Sequence, residues 1–99
     1  MKLDHGNLSR ILETAVVAAR LAGQKAMELM DYVKVSFKES GEIVTAADPQ
    51  CQEIIISKIR EIFPDHGFLA EESAEGQMYK LSPRGKDDIW WVIDPIDGT

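Results

Sequence analysis

Five consecutive apolar residues, Ile89-Trp90-Trp91-Val92-Ile93, run straight into Asp94-Pro95-Ile96-Asp97-Gly98-Thr99. The run is short, β-branched and aromatic, and it follows the charged Lys86-Asp87-Asp88, so it reads as a buried strand. Asp94 and Asp97 would then lie together at its carboxyl end. The proline between them fixes the local backbone, and the glycine after them permits unusual dihedrals. Two anions held that close call for a cation. The same residue types are also the ordinary vocabulary of turns, and a plain turn accounts for the stretch taken alone.

A second acidic site tips the balance. Glu71-Glu72-Ser73 directly follows another short apolar stretch, Phe68-Leu69-Ala70. Two strands that end in carboxylates can bring them to one edge of a sheet, which is how hard, oxygen-seeking ions such as Mg²⁺ are held.

The rest of the chain supplies two helices and a hairpin. From Leu8 to Val33 apolar or small residues recur with helical period, with Asn7 as the expected cap and a small-residue middle, Ala18-Ala19 to Ala22-Gly23, that a neighbour can approach closely. Val33, Val35 and Phe37 alternate with Lys34, Ser36 and Lys38, and Ile43-Val44-Thr45 follows after Gly41, so a hairpin is the economical reading. Asp48-Pro49 is a helix start, an N-cap aspartate followed by a proline at the first helical position, and the helix runs through Cys51, Ile54, Ile55, Ile59, Ile62 and Phe63 to Pro64. His66 reads as a turn residue beside Gly67, and His5 lies in a fraying terminus, so no histidine metal site is expected. Residues 74–85 read as an exposed, turn-rich connection. Trp90 and Trp91 should point to opposite faces of the last strand, one of them into the core. The expected fold class is α+β, two helices packed on an antiparallel sheet.

Composition narrows the function. The chain has 99 residues, enough for one small domain, and a 44% hydrophobic share that excludes wholesale disorder. A formal net charge of -6 without a basic cluster excludes nucleic acid as a default partner. A single cysteine, Cys51, and no apolar run of membrane-spanning length point to a cytoplasmic protein with no membrane partner. Cys51 itself reads as a small residue at a helix contact, not as a nucleophile.

Three stretches taken together, Ile43-Val44-Thr45-Ala46-Ala47-Asp48, Phe68-Leu69-Ala70-Glu71-Glu72-Ser73 and Trp91-Val92-Ile93-Asp94-Pro95-Ile96-Asp97-Gly98-Thr99, resemble the inositol monophosphatase family of metal-dependent phosphomonoesterases, which belongs with fructose-1,6-bisphosphatase in one superfamily. The resemblance implies that residues 1–99 are the N-terminal portion of a single phosphatase domain, the first part of the αβαβα layered sugar-phosphatase sandwich. It implies Mg²⁺-dependent hydrolysis of a phosphate monoester, inositol monophosphate or a related polyol or sugar phosphate, assisted by two or three metal ions. Mn²⁺ would substitute, Li⁺ would inhibit, and the enzyme would be a homodimer.

Residue by residue, the resemblance makes Asp94 a ligand bridging two metal ions. Glu71 and the Ile96 carbonyl would complete the first site and Asp97 would serve the second. Thr99 with Asp48 would hold the attacking water, and the backbone N–H groups of Gly98 and Thr99 would receive the phosphate. Glu72 reads as a solvated neighbour, and Lys38 as a strand lysine or as a loop residue helping to order a further ion. A remaining metal-binding aspartate of the family has no counterpart here, so the chain alone is expected to lack a complete active site. Bisphosphate nucleotidase, fructose-1,6-bisphosphatase and histidinol-phosphate phosphatase activities share these motifs. A non-catalytic cation-binding or interaction module is the rival from another class.

Overall fold

The computed structural model describes residues 1–29, 35–37, 43–45, 47–71, 78–86 and 88–95, with the backbone alone described at 35–37, 43–45 and 47. In chain order the elements are α1 (His5–Leu29), β1 (Val35–Phe37), β2 (Ile43–Thr45), α2 (Ala47–Ile62), β3 (Gly67–Ala70), β4 (Tyr79–Leu81) and β5 (Trp90–Ile93).

The first helix begins earlier than the sequence suggests. The Asp4 carboxylate accepts the Asn7 backbone N–H at 2.9 Å and the Asp4 carbonyl accepts that of Leu8 at 2.9 Å. Asp4 is therefore the cap, and Asn7 lies within the first turn, its side chain donating to the Lys2 carbonyl. An aspartate caps as well as an asparagine and adds a full negative charge at the positive end of the helix dipole. The expected continuation to Val33 falls outside the described residues.

Helix α1 buries Thr14, Ala18 and Ala22, four residues apart on one face. Thr14 satisfies its hydroxyl by donating to the Arg10 carbonyl at 2.9 Å. Two alanines on that face let α2 come close, and the Cys51 thiol of α2 reaches the Ala22 carbonyl at 3.5 Å. Cys51 is thus the small contact residue expected. Burial, followed by the charge of Asp48, raises its pKa against the opposing effect of Lys25, which keeps the thiol protonated and inert.

The second helix starts at Ala47, so Asp48 sits inside its first turn and not at the capping position. Pro49 still falls in the first turn, where a missing N–H costs nothing. Past Ile62 the chain turns sharply, the Phe63 N–H donating to the Ile59 carbonyl at 2.7 Å and the His66 N–H to that of Phe63 at 3.3 Å.

The hairpin is as expected: β1 and β2 pair antiparallel, Val35 against Thr45 and Phe37 against Ile43. The main sheet differs from expectation. It has the order β4-β3-β5, with β3 antiparallel to β4 but parallel to β5. The class is still α+β with two helices on a sheet, but the sheet is mixed. Strand β4 lies within the stretch read as an exposed connection, and three residues were too few to show a period.

Residues 82–86 lead from the end of β4 past the start of β3, and residues 88 and 89 lead into β5. The passage is tight. A Cβ placed on Gly67 would lie 2.6 Å from the Pro83 ring and 2.8 Å from the Leu81 carbonyl oxygen, so only glycine fits there. The Gly67 N–H donates to the Ile89 carbonyl at 2.8 Å, and the Arg84 N–H to that of Asp65 at 2.9 Å.

The core joins both helices to the sheet through Ala18, Ile59, Phe63, Phe68, Ala70 and Ile93, with Trp91, Ile55 and Leu81 packed at its margin. Trp91 faces inward and Trp90 outward, under the Lys80 ammonium at 5.8 Å, as alternation requires. Strand β5 is not buried on both faces, however: Val92 is 80% exposed, on the same face as Trp90.

Candidate metal site at the carboxyl edge of the sheet

Parallel pairing is what brings the acidic residues together. The last matched pair of β3 and β5 is Ala70 with Ile93, so Glu71 and Asp94 are the next residues on adjacent strands that end at the same edge. The Glu71 N–H extends the ladder by one bond to the Ile93 carbonyl, at 3.2 Å. Neighbouring strands lie about 4.8 Å apart. Antiparallel pairing would have sent the two carboxylates to opposite ends of the sheet. Both residues are exposed, so this edge of the sheet faces solvent.

Asp48 lies on another element and in another environment. It is only 1% exposed, in the first turn of α2. Ile96, Asp97, Gly98 and Thr99, the remaining expected site residues, lie outside the described residues, as do Glu72 and Lys38. Among the described residues, no three His, Cys, Asp or Glu side chains gather in a group that could hold a metal ion. Carboxylates such as those of Glu71 and Asp94 are hard oxygen ligands of the kind that Mg²⁺ and Mn²⁺ prefer.

A groove of about 520 Å³ lies elsewhere, lined by Leu21 and Lys25 of α1 and by Gln50, Ile54, Ser57 and Glu61 of α2, among others. No expected site residue lines it.

The sequence reading missed His66. It stands at the turn, as expected, but is only 2% exposed. Its ring stacks on Phe63 with centroids 4.6 Å apart and planes 4° from parallel, and its Nδ1 accepts the Trp91 indole N–H at 2.9 Å. Nε2 is buried without a hydrogen-bond partner among the described residues. Burial lowers the ring's pKa, and the Met1 α-amino group adds to that against the opposing charge of Asp65. Phe63 three residues earlier was the only local signal; Trp91 is 25 residues away.

No helix among the described residues is long and apolar enough to cross a membrane. The inositol monophosphatase family model matches residues 7–99. Among curated proteins the chain is similar to Nus factor SuhB of Pasteurella multocida, with 40% identity over 96 residues, covering 93% of this chain and 33% of the relative. It is similar to Nus factor SuhB of Escherichia coli K12, 42% identical over 93 residues, with 90% of this chain and 32% of the relative covered. Inositol monophosphatase 1 of Homo sapiens is 40% identical over 91 residues, with 89% of this chain and 31% of the relative covered. The chain thus spans about a third of the length of the curated relatives it matches.

Proposed function

The chain belongs to the inositol monophosphatase family, and on that premise we propose that it carries the first metal ligands of a Mg²⁺-dependent phosphomonoesterase acting on inositol monophosphate or a related polyol phosphate. The observation that supports this best is the parallel register that ends β3 and β5 with Glu71 beside Asp94. Asp94 would serve both metal ions, Glu71 and the Ile96 carbonyl would complete the ligands of the first, and Asp97 would serve the second. The metal ions, when bound, lower the pKa of a water and neutralise charge on the phosphoryl group.

The chain's own groups orient what those ions activate. Thr99 and Asp48 position the water, and the backbone N–H groups of Gly98 and Thr99 take the phosphoryl oxygens. The buried place of Asp48 supports an orienting role, because a fixed carboxylate holds a hydrogen bond in one direction. The reduced, buried Cys51 supports a cytoplasmic setting, and the relatives' greater length supports a domain of which residues 1–99 are the N-terminal portion, in a protein that works as a homodimer.

The decisive experiment is Asp94→Asn in the longest available form. Mg²⁺-dependent phosphate release should fall by on the order of a thousandfold or more, since a shared ligand serves both ions. Retention of most of the release would end the metal-site reading. A second reading, a non-catalytic interaction module, is favoured by the relatives that carry the name Nus factor. It requires that Asp94→Asn leave partner binding intact while no phosphate ester is turned over by the unsubstituted protein.

A further inference from the structure

Three features lie outside the proposed chemistry: the α1–α2 groove, the exposed face of Trp90 and Val92, and the buried His66. Nothing in the structure says what would cover the first two. The third is an assembled interaction. His66 stands at the turn between α2 and β3, stacked on Phe63, and its Nδ1 accepts from Trp91 on β5. An accepting Nδ1 places the ring proton on Nε2, so the bond exists only in the neutral ring.

We propose that His66 is a positioning residue for the Glu71–Asp94 edge: its neutral ring clamps β5 to the start of β3 in the register that ends with the two carboxylates side by side, and protonation releases the clamp. Gly67, the residue after His66, pairs with Trp90, the residue before Trp91, so the bond is made where the parallel ladder begins. A proton added at Nδ1 turns the acceptor into a donor facing the Trp91 donor. It also leaves a charge in a buried site whose Nε2 has no partner among the described residues.

Of the charged groups around the ring, Asp65 favours that charge and the Met1 α-amino group opposes it. Asp65, its neighbour in the turn, is drawn to Arg84 at 3.4 Å. From α1 the Arg10 guanidinium lies 5.2 Å over the Phe63 ring on which His66 stacks. The Met1 α-amino group repels a proton there as well. Lys80 of β4 stands over Trp90, on the other face of β5.

The sign of the pH effect follows. The folded ring titrates below the usual value of about 6.5, so the unfolded chain binds the proton more readily. The stabilisation is whole above that value and is lost as pH falls through it toward the folded pKa. The consequence for catalysis rests on the metal-site reading above, whereas the clamp itself does not.

The test uses the 99-residue chain labelled with ¹⁵N, following the Trp91 indole N–H with that of Trp90 as reference, from about pH 7.5 to 5, across the range where a histidine changes charge. Divided by the rate of the exposed Trp90 indole, which carries the intrinsic pH dependence of exchange, the exchange of the Trp91 indole proton should quicken by about tenfold as His66 titrates. His66→Asn keeps an acceptor near the Nδ1 position but cannot titrate, so protection should persist at every pH, whereas His66→Ala should lose it throughout. An indole proton indifferent to the His66 titration, or an Asn variant no better than Ala, overturns the proposal.

Should the Ala variant fail to fold, Trp91→Phe serves instead. Without the bond that favours its neutral form, His66 should titrate at higher pH, and an unchanged midpoint overturns the clamp. Added Mn²⁺ separates this inference from the functional reading. It should broaden the Glu71 and Asp94 amide signals together at pH 7.5, in the unsubstituted chain and in His66→Asn. Broadening of neither, with the indole following His66, sinks the metal site and leaves the clamp standing. Equal broadening of both after the indole is released sinks the positioning role.

Discussion

The two ends of the three-stranded sheet are built on opposite plans. At the amino end of β3 and β5, the turn after α2 is joined to residues 82–86 and 88–89 by backbone bonds from Gly67 to Ile89 and from Arg84 to Asp65, over a buried stack of Phe63 and His66. At the carboxyl end one backbone bond, Glu71 to Ile93, precedes two exposed carboxylates. Among the described residues, ring stacking and the crossing backbone bonds lie at the end where no chemistry is proposed, and the exposed carboxylates lie at the other, just beyond Ala70 and Ile93 of the core. A fold that locks one end of a pair of parallel strands fixes the spacing at the other without crowding it, which leaves room for an ion and a substrate.

The sharpest division of labour would appear in two substitutions. Asp94→Asn, the largest expected effect, should remove phosphate release in the longest form while leaving the thermal midpoint of the chain within a few degrees of its original value, because an exposed carboxylate contributes little to stability. Phe68→Ala should do the reverse. Phe68 is fully buried at the centre of the core, and its loss should cost about 3–5 kcal/mol in a urea titration, a large part of what so small a domain has. If Phe68→Ala cost less than about 1 kcal/mol, the packed end would not be the stabilising one.

How far the sequence discloses this architecture depends on the range of the interaction. The helices, the hairpin and the strands at Phe68 and Trp91 follow from local period, and the acidic residues after each strand are visible by type and place. The direction of β5 is not, because parallel or antiparallel pairing is decided by how residues 82–86 pass Gly67, a contact between segments with no shared pattern. Asp4 displaced Asn7 as cap because two good capping residues stand three apart and only the structure chooses between them. His66 was legible only as a neighbour of glycine, since its partner Trp91 lies far along the chain. Of the candidate site, Glu71 and Asp94 meet by register, while the roles given to Ile96, Asp97, Gly98 and Thr99 rest on the motif.

An intermediate effect tests the crossing itself. Gly67→Ala would set a methyl against the Pro83 ring and the Leu81 carbonyl, neither of which can swing aside as a flexible side chain would. The cost should be about 1–3 kcal/mol by denaturant titration, with faster exchange of the Gly67-to-Ile89 amide bond. A neutral result would mean that residues 82–86 can shift, and that the amino end is looser than the contrast between the two ends requires.

The smallest expected effect comes from Arg84→Ala. Its guanidinium donates to the Pro64 carbonyl at 3.0 Å and lies 3.4 Å from the Asp65 carboxylate, which makes it look like a strut between the connection and the turn. Yet the arginine side chain is 66% exposed and that of Asp65 55%, so water competes for both contacts. The backbone bond from the Arg84 N–H to the Asp65 carbonyl survives the substitution. The loss should therefore be no more than about 0.5–1 kcal/mol, and smaller still in high salt. A cost well above that would place the strength of this end in its surface charges and not in backbone pairing and ring stacking. The two ends would then differ in the sign of their charges more than in the way they are built.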